Sequence, residues 1–301
     1  MSTTVKTPAS SANLGPGFDV LALALGLHDT IALKPGTEGF TLTVSGEGQG
    51  KLDKYPDKNL ARRSITALYR KIGVAPPPIH IHMDNKIPLS RGLGSSAAAI
   101  VGALTAADAF SDANLGKDEI FNLAVELEGH ADNVAAAVYG GLVIAYKEDN
   151  GFKAKKARPS ANIGVALLVP EAGLSTAKAR AVLPQEVSRD QAVFNIGRVA
   201  LLVEALITGD SGRLSTAVED ALHQTWRRGL IHDYNVTEHA CYLAGAAGVA
   251  LSGAGPTLIA FYDKKDAAAF QSGLVKEFES AAVRRRALFL DIDTDGAKVV
   301  S

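Results

Sequence analysis

Between Pro88 and Ala99 the chain runs Pro-Leu-Ser-Arg-Gly-Leu-Gly-Ser-Ser-Ala-Ala-Ala, so a loop of small residues leads straight into an alanine-rich helix. Gly92 and Gly94 open backbone angles closed to other residues and let main-chain N–H groups come close to a ligand. The helix start adds donors without intrahelical partners and the positive end of the peptide dipole. Together these features attract phosphate. Ser95 and Ser96 bring hydroxyls to the same place, one positioned to cap the helix and the other to contact Mg2+ bridging the phosphates. A glycine turn with a capping serine is the commoner meaning of such a stretch taken alone, so the reading needs support from elsewhere in the chain.

Two familiar phosphate loops do not fit. Gly92-x-Gly94-x-x-Ala97 satisfies a loose dinucleotide fingerprint, but Pro-Leu-Ser-Arg precedes it instead of an apolar strand, and no strand-end acid follows at the expected distance. The Gly-x-x-x-x-Gly-Lys string of the Walker loop is absent. The balance of 31 basic against 32 acidic residues, without a run of like charges, gives no footprint for a nucleic-acid partner. Cys241 is the only cysteine, which leaves no intramolecular disulfide or cysteine-based zinc pattern and fits a reducing compartment. The first residues lack the apolar core of a signal peptide, and no apolar run approaches the ~20 residues that span a bilayer; a cytoplasmic protein without a membrane partner is expected.

Apolar alternation predicts strands over 20–25, 31–34, 40–45 and 79–83, and helical spacing predicts helices over 59–72, 96–110 and 118–127. Gly140-Gly141 breaks the chain before a strand at 142–146, and the polar, lysine-rich segment 147–158 reads as a domain boundary. Beyond it the pattern gives a strand at 165–169, a helix at 191–207, two strands around a Gly-Pro turn within 248–262, a helix at 266–278 and a strand near Leu288. The 301 residues thus divide into 1–155 and 156–301, in an α+β arrangement without the regular alternation of a doubly wound sheet. His80 and His82 face one side of a predicted strand, but no third ligand accompanies them and the pair reads as structural. Trp226 reads as packing.

Two further segments resemble glycine-rich site loops: Pro8-Ala-Ser-Ser-Ala-Asn-Leu-Gly-Pro-Gly-Phe-Asp19 and Leu251-Ser-Gly-Ala-Gly-Pro-Thr257. With the Gly-Leu-Gly-Ser-Ser loop they resemble, in order and separation, the three signature motifs of the GHMP small-molecule kinases, a likeness covering nearly the whole chain. Within that superfamily the first segment, Glu128-Gly-His-Ala-Asp-Asn133 and Ser175-Thr-Ala-Lys-Ala-Arg180 most closely resemble the homoserine kinases.

The resemblance implies a two-domain GHMP-kinase-like fold: an N-terminal ATP-binding domain with a left-handed βαβ unit, and a C-terminal ferredoxin-like α/β sandwich, with the active site between them. It implies ATP and Mg2+, L-homoserine as the alcohol phosphorylated, and a homodimer. ATP falls to Pro88, Arg91, Gly92, Leu93, Gly94, Ser95, Ser96 and Ala97. The metal falls to Ser96 and Glu128, with Glu126 as the competing acid because the linker to the Asp-Asn pair is short for the family. Substrate binding falls to Asn13, Asp19, His130, Asn133, Thr176, Arg180, Arg227 and Gly253, and the chemical step to Asp132 and Asn133 beside Ser96 and Glu128. These residues suit homoserine, whose ammonium asks for an anion such as Asp19 and whose carboxylate asks for an arginine fork. Thr225 stands where the family more often has proline, which makes Arg228 an alternative to Arg227. A kinase for mevalonate or a sugar alcohol, and a catalytically silent nucleotide-binding regulator, remain the rival readings.

Overall fold

Two long antiparallel strands, β1 (Thr3–Asn13) and β2 (Gly17–Pro35), open the fold in the computed structural model, which describes residues 2–301. The segments predicted at 20–25 and 31–34 are parts of the one strand β2. Polar residues between them stay in the sheet because they are satisfied there: His28 Nε2 lies 2.7 Å from Asp293, and Asp29 accepts the N–H groups of Lys86 and Ile87 at 2.7 and 2.9 Å. At ~3.3 Å per residue such a strand is long enough to serve several neighbours.

The chain continues through β3 (Phe40–Gly46), α1 (Leu60–Lys71) and β4 (Ile79–Asn85). Strands β3 and β4 pair in parallel, so α1 is the crossover of a βαβ unit. Asn59 caps α1 by accepting from Ala61 N, and Ala61, Ile65 and Leu68 turn its buried face to the sheet. Next come α2 (Ser95–Ser111), α3 (Lys117–Glu128) and α4 (Asp132–Tyr139). Helix α2 is apolar on nearly every side and built largely of alanine, as a helix enclosed by α1, α3, α4 and the sheet must be.

A hairpin of β5 (Leu142–Glu148) and β6 (Gly151–Ala157) completes this layer. The lysine-rich stretch expected to be a boundary is therefore a strand. As an edge strand β6 needs a partner on one side only, and its lysines stay solvated.

The second layer contains β7 (Ile163–Pro170), α5 (Thr176–Ala181), α6 (Arg189–Thr208), α7 (Leu214–Ala217), α8 (Gln224–Arg228), α9 (Tyr234–Leu243), β8 (Gly248–Leu251), β9 (Leu258–Asp263), α10 (Ala267–Ser280) and β10 (Arg285–Leu290). Its four strands are antiparallel in the order β10-β7-β9-β8, the ferredoxin-like βαββαβ arrangement. A last strand, β11 (Lys298–Val299), returns to pair with β1, and Leu25 bridges Ile292. The division at 155/156 thus differs from the structure at both ends: it cuts β6, and it assigns to the second layer a C-terminal segment that closes the first sheet.

One apolar cluster joins the layers. It unites Leu21, Leu23 and Leu25 of β2 with Val165 and Leu167 of β7, Ile259 and Phe261 of β9, and Leu202, Ala205 and Leu206 of α6. Leu14 and Leu93 also enter it, each from a glycine-rich loop, so the polar loops between the layers are pinned by buried leucines. Helix α6 is long and apolar enough, by length and composition, to cross a membrane, a test that core helices of globular proteins also pass. Counting unbroken apolar runs passes over it because Asn195, Arg198 and Glu204 interrupt the run. One side of α6 is in the joint core, while Val193 and Ile196 are 62% and 69% exposed.

Candidate active site

The three glycine-rich loops meet at the start of α2. Leu93 O accepts from Ser10 N at 3.0 Å, Gly92 O accepts from Ser252 Oγ at 2.7 Å, and Ala12 O accepts from Gly253 N at 2.9 Å. Gly92 and Gly94 have φ of 73° and 69°. A Cβ on Gly92 would lie 2.2 Å from Ser252 O, and one on Gly94 would lie 2.0 Å from Ser10 Oγ. Glycine is required at both for conformation and for space.

Neither serine caps α2. The N-cap is Gly94, which has no side chain to offer, and the first intrahelical bond is Ala98 N to Gly94 O. The N–H groups of the first turn therefore face the loop without a side-chain acceptor, at the positive end of a buried 17-residue helix.

These loops line a cleft of about 180 Å³, which holds Asn13, Asp19, Pro88, Arg91, Gly92, Leu93, Gly94, Ser95, Ser96, Glu128, His130, Asp132, Asn133, Thr176, Arg180, Arg227 and Gly253. Of the residues assigned to ATP, metal, substrate or the chemical step, with the alternatives Glu126 and Arg228 set aside, all are thus brought together except Ala97, whose side chain is fully buried in the core. Ser96 Oγ donates to Glu128 Oε2 at 2.5 Å. Glu126 instead lines a groove with Arg70, Lys71 and Lys153, so of the two acids Glu128 is the one beside Ser96. Burial raises the Glu128 pKa against the lowering effect of the Ser96 hydroxyl, and a cation there would relieve that burial. A hydroxyl and a carboxylate are hard oxygens, and Mg2+ commonly takes only one or two protein ligands beside phosphate oxygens. The residues fit that ion.

Opposite the helix mouth lies a charged group. Asp19, at a φ of 56°, pairs with Arg180 through two bonds of 2.7 and 3.1 Å. His130 Nδ1 is 3.3 Å from Arg180, and burial followed by the Arg180 charge lowers its pKa, so it faces the guanidinium as a neutral acceptor. Arg227 is 1% exposed, and burial followed by repulsion from Arg180 brings its pKa down to about 10. The Phe18 ring centroid lies 5.5 Å from the Arg180 guanidinium carbon and 5.3 Å from that of Arg227. Arg228 is the exposed partner of Glu238, 3.0 Å away, on another surface. Thr225 is exposed on α8, so the missing proline leaves Arg227 in the cleft. Trp226, expected to pack, is 44% exposed.

Asn13 serves the loop itself, accepting from Asp19 N at 3.0 Å and donating to Gly253 O at 2.8 Å. Asn133 Oδ1 accepts from Ser10 Oγ at 2.8 Å, and Asp132 Oδ1 accepts from Asn133 N at 2.7 Å. Asp132 is 3% exposed, and burial is the first cause of a pKa raised to about 6. A second pocket of about 380 Å³ shares Ser90, Ser95 and Ser96 with the cleft and adds Leu52, Tyr55, Leu60, Met83 and Leu89. Sequence reasoning missed this pocket, because its residues come from separate elements and form no motif. It also missed Phe18, Asp220 and His223 behind the arginines.

Residues 59–141 match the family described as GHMP kinases N terminal domain, and residues 202–280 match GHMP kinases C terminal. The chain is 38% identical over 302 residues to a homoserine kinase of Synechocystis, covering 99% of this chain and 98% of the relative. It is 42% identical over 257 residues to one of Moorella thermoacetica, covering 85% and 86%. Among solved structures, a homoserine kinase from Cytophaga hutchinsonii superposes with a TM-score of 0.89 at 29% identity, covering 99% and 97% of the two chains. A mevalonate kinase of L. major in complex with R-mevalonate reaches 0.75 at 18% identity, covering 96% and 95%, a likeness of fold alone.

Two outcomes follow from this geometry. Gly92→Ala should lose about 2 kcal/mol or more of stability in urea melts, through positive φ and collision with Ser252 O, and wild-type melting would contradict the interlock. For Asp132, the raised folded pKa withholds stability as pH rises. Below about pH 4 the carboxyl is protonated in folded and unfolded chains alike, and between about 4 and 6 the wild type loses stability as pH rises. Above about pH 6, Asp132→Asn should be more stable than wild type, by up to about 3 kcal/mol, and near pH 4 the two should converge. A variant less stable than wild type at pH 7.5 would contradict this.

Proposed function

The chain belongs to the GHMP kinases, and we propose that its cleft moves the terminal phosphate of ATP onto the side-chain hydroxyl of L-homoserine, giving ADP and O-phospho-L-homoserine. The observation that carries the substrate is the Asp19–Arg180 pair, with Arg227 beside it, facing the mouth of α2. An α-amino acid brings the same two charges that this pair already balances. Its ammonium takes Asp19 and its carboxylate takes Arg180 and Arg227, so both protein charges keep a partner after the exchange. An alcohol with only a carboxylate, such as mevalonate, draws Arg180 away and leaves Asp19 without its counter-charge, and a sugar alcohol brings no charge with which to separate the pair. The mevalonate and sugar-alcohol readings are disfavoured on that ground. A silent regulator is disfavoured by the presence of the uncapped helix mouth, the Ser96–Glu128 pair and Asp132 together.

The N–H groups from Gly92 to Ala97 receive the triphosphate, and the neighbouring 380 Å³ pocket offers Leu52, Leu60, Met83 and Leu89 to the base. Ser96 and Glu128 would hold Mg2+, which when bound neutralises phosphate charge. The homoserine oxygen forms its bond to the γ-phosphorus as the bond to the β,γ-bridging oxygen breaks, and ADP leaves with that electron pair. Asn133 orients the hydroxyl. Asp132, ionised above about pH 6, is placed to take the proton. Positioning and charge stabilisation do most of the work in such transfers. Through the family, the reading extends to a cytoplasmic enzyme on the route to threonine.

A homodimer belongs to the same reading, and α6 is the surface that supports it. Along its exposed side Val193 and Ile196 are large, Gly197 and Ala200 are small, and Arg189 and Glu204 carry opposite charges at the ends. Two copies laid antiparallel set Val193 on Ala200, Ile196 on Gly197 and Arg189 beside Glu204, a self-complementary contact.

Two measurements test these readings. In an ADP-release assay, homoserine should exceed 4-hydroxybutyrate, 3-amino-1-propanol and mevalonate in kcat/KM by about 100-fold or more, and Arg180→Ala should raise the homoserine KM far more than it lowers kcat. A preference for mevalonate, or unchanged kinetics in Arg180→Ala, would overturn the substrate assignment. Sedimentation should give a dimer that Ile196→Asp converts to a folded monomer; a variant that remains dimeric removes α6 from the interface.

A further inference from the structure

Behind Arg227 lies a side chain that no signature motif includes. His223 is fully buried, its Nε2 lies 2.7 Å from Gly15 O, and its Nδ1 lies 3.1 Å from Arg227 Nη1. A carbonyl oxygen only accepts, so Nε2 carries the ring proton, and Nδ1 of the neutral ring is then left as a lone pair facing the guanidinium. The remaining bonds of Arg227 run from Nε to Ala179 O at 3.1 Å and from Nη1 to Gly253 O at 3.3 Å. Among the described residues Nη2 has no protein partner, and Arg227 lines the cleft.

We propose that His223 is a positioning residue for the amino-acid substrate: its Nδ1 holds Arg227 in the one orientation that leaves Nη2 free for the substrate carboxylate. This rests on the reading of the cleft as the homoserine site. The same ring ties the loop bearing Asp19 to the helix bearing Arg227, because its two nitrogens reach Gly15 and Arg227 at once.

The surroundings of the ring are built for this task. His223 stacks on Phe18 with centroids 5.2 Å apart and planes at 25°, and the same Phe18 lies 5.3 Å from the Arg227 guanidinium carbon. Asp220 accepts from the N–H groups of Leu222, His223 and Gln224 and from Asn195 Nδ2, at 2.6 to 2.9 Å, which fixes the start of α8. Burial opposes the charge of Asp220, but attraction to the neighbouring His223 ring and then these donors hold its pKa below the ordinary carboxylate value. Asp220 lies 3.7 Å from His223 Nε2 and favours a charged ring. Burial outweighs it, and with repulsion from Arg227 brings the imidazole down to about 4, so the Nδ1 lone pair is available at neutral pH. An apolar ring would fill the space beside Phe18 equally well. It would leave Arg227 Nη1 and Gly15 O each short of a buried partner.

The test compares two substitutions of similar size that each keep one of the two bonds. In His223→Asn the side-chain oxygen reaches the place of Nδ1, so Arg227 keeps its acceptor. In His223→Gln the amide reaches the place of Nε2, so Gly15 keeps its donor while Arg227 loses its acceptor. Homoserine KM should stay within about threefold of wild type in the Asn variant and rise about tenfold or more in the Gln variant, with ATP KM and kcat little changed in both. Both variants should turn over 3-amino-1-propanol at the wild-type rate, because that analogue has no carboxylate for Arg227 to hold. Equal KM changes in the two variants, or equal losses on the decarboxylated analogue, would show a merely structural residue and overturn the proposal. Arg227→Met separates the two layers of the argument. If it raises homoserine KM while His223→Gln does not, positioning by His223 fails and the site stands; if neither moves KM, the homoserine site and this proposal fail together.

Discussion

Three loops approach one another at the mouth of α2 more closely than a Cβ on Gly92 or Gly94 allows, and the cleft is built around that contact. Because Gly94 begins the helix without a side chain, the first-turn N–H groups remain available, and α2 can present them to an anion. Because Gly92 admits Ser252 O, the loop from the second layer reaches the first. Leu14 and Leu93 then anchor these loops in the apolar cluster shared by both sheets. Hydrophobic burial supplies the rigidity that a polar site cannot supply for itself.

The charges in the cleft follow a second logic, in which local stability is given up for chemistry. Asp132 is buried with few compensating donors and an elevated pKa, which in the proposed reaction suits it to exchange a proton near neutrality. Arg227 is buried almost completely and crowded by Arg180, yet Ala179 O, His223 and Gly253 O hold it in place. Asp19 and Arg180 neutralise one another, and in the proposed reading a ligand with both charges is what separates them. Such a site discriminates by what it would leave unpaired, and polar recognition therefore rejects near-substrates more sharply than an apolar pocket can.

Much of this was legible in the sequence where chemistry and spacing coincide. The Gly-Leu-Gly-Ser-Ser loop, the Asp19 string and the Glu128-to-Asn133 segment each compress several site residues into a few positions, and the fold brings nearly all of them to one cleft. What escaped depends on distant partners. The extent of β2 rests on Asp29 accepting from Lys86 and Ile87, and β6 is a strand only because β5 lies beside it. The apolar pocket next to Ser96 and the roles of Phe18, His223 and Asp220 arise from contacts among separate elements. Ala97 shows the opposite limit: it lies within a motif, but its side chain is in the core, which leaves only its backbone N–H to offer a ligand.

The account is tested most directly by a crystal structure with L-homoserine and a non-hydrolysable ATP analogue. It predicts the triphosphate on the N–H groups of Gly92 to Ala97, the amino-acid ammonium on Asp19, its carboxylate on Arg180 and Arg227, and its hydroxyl between Asn133 and the γ-phosphate. A nucleotide bound away from α2, or a homoserine that leaves the Asp19–Arg180 pair intact, would contradict it.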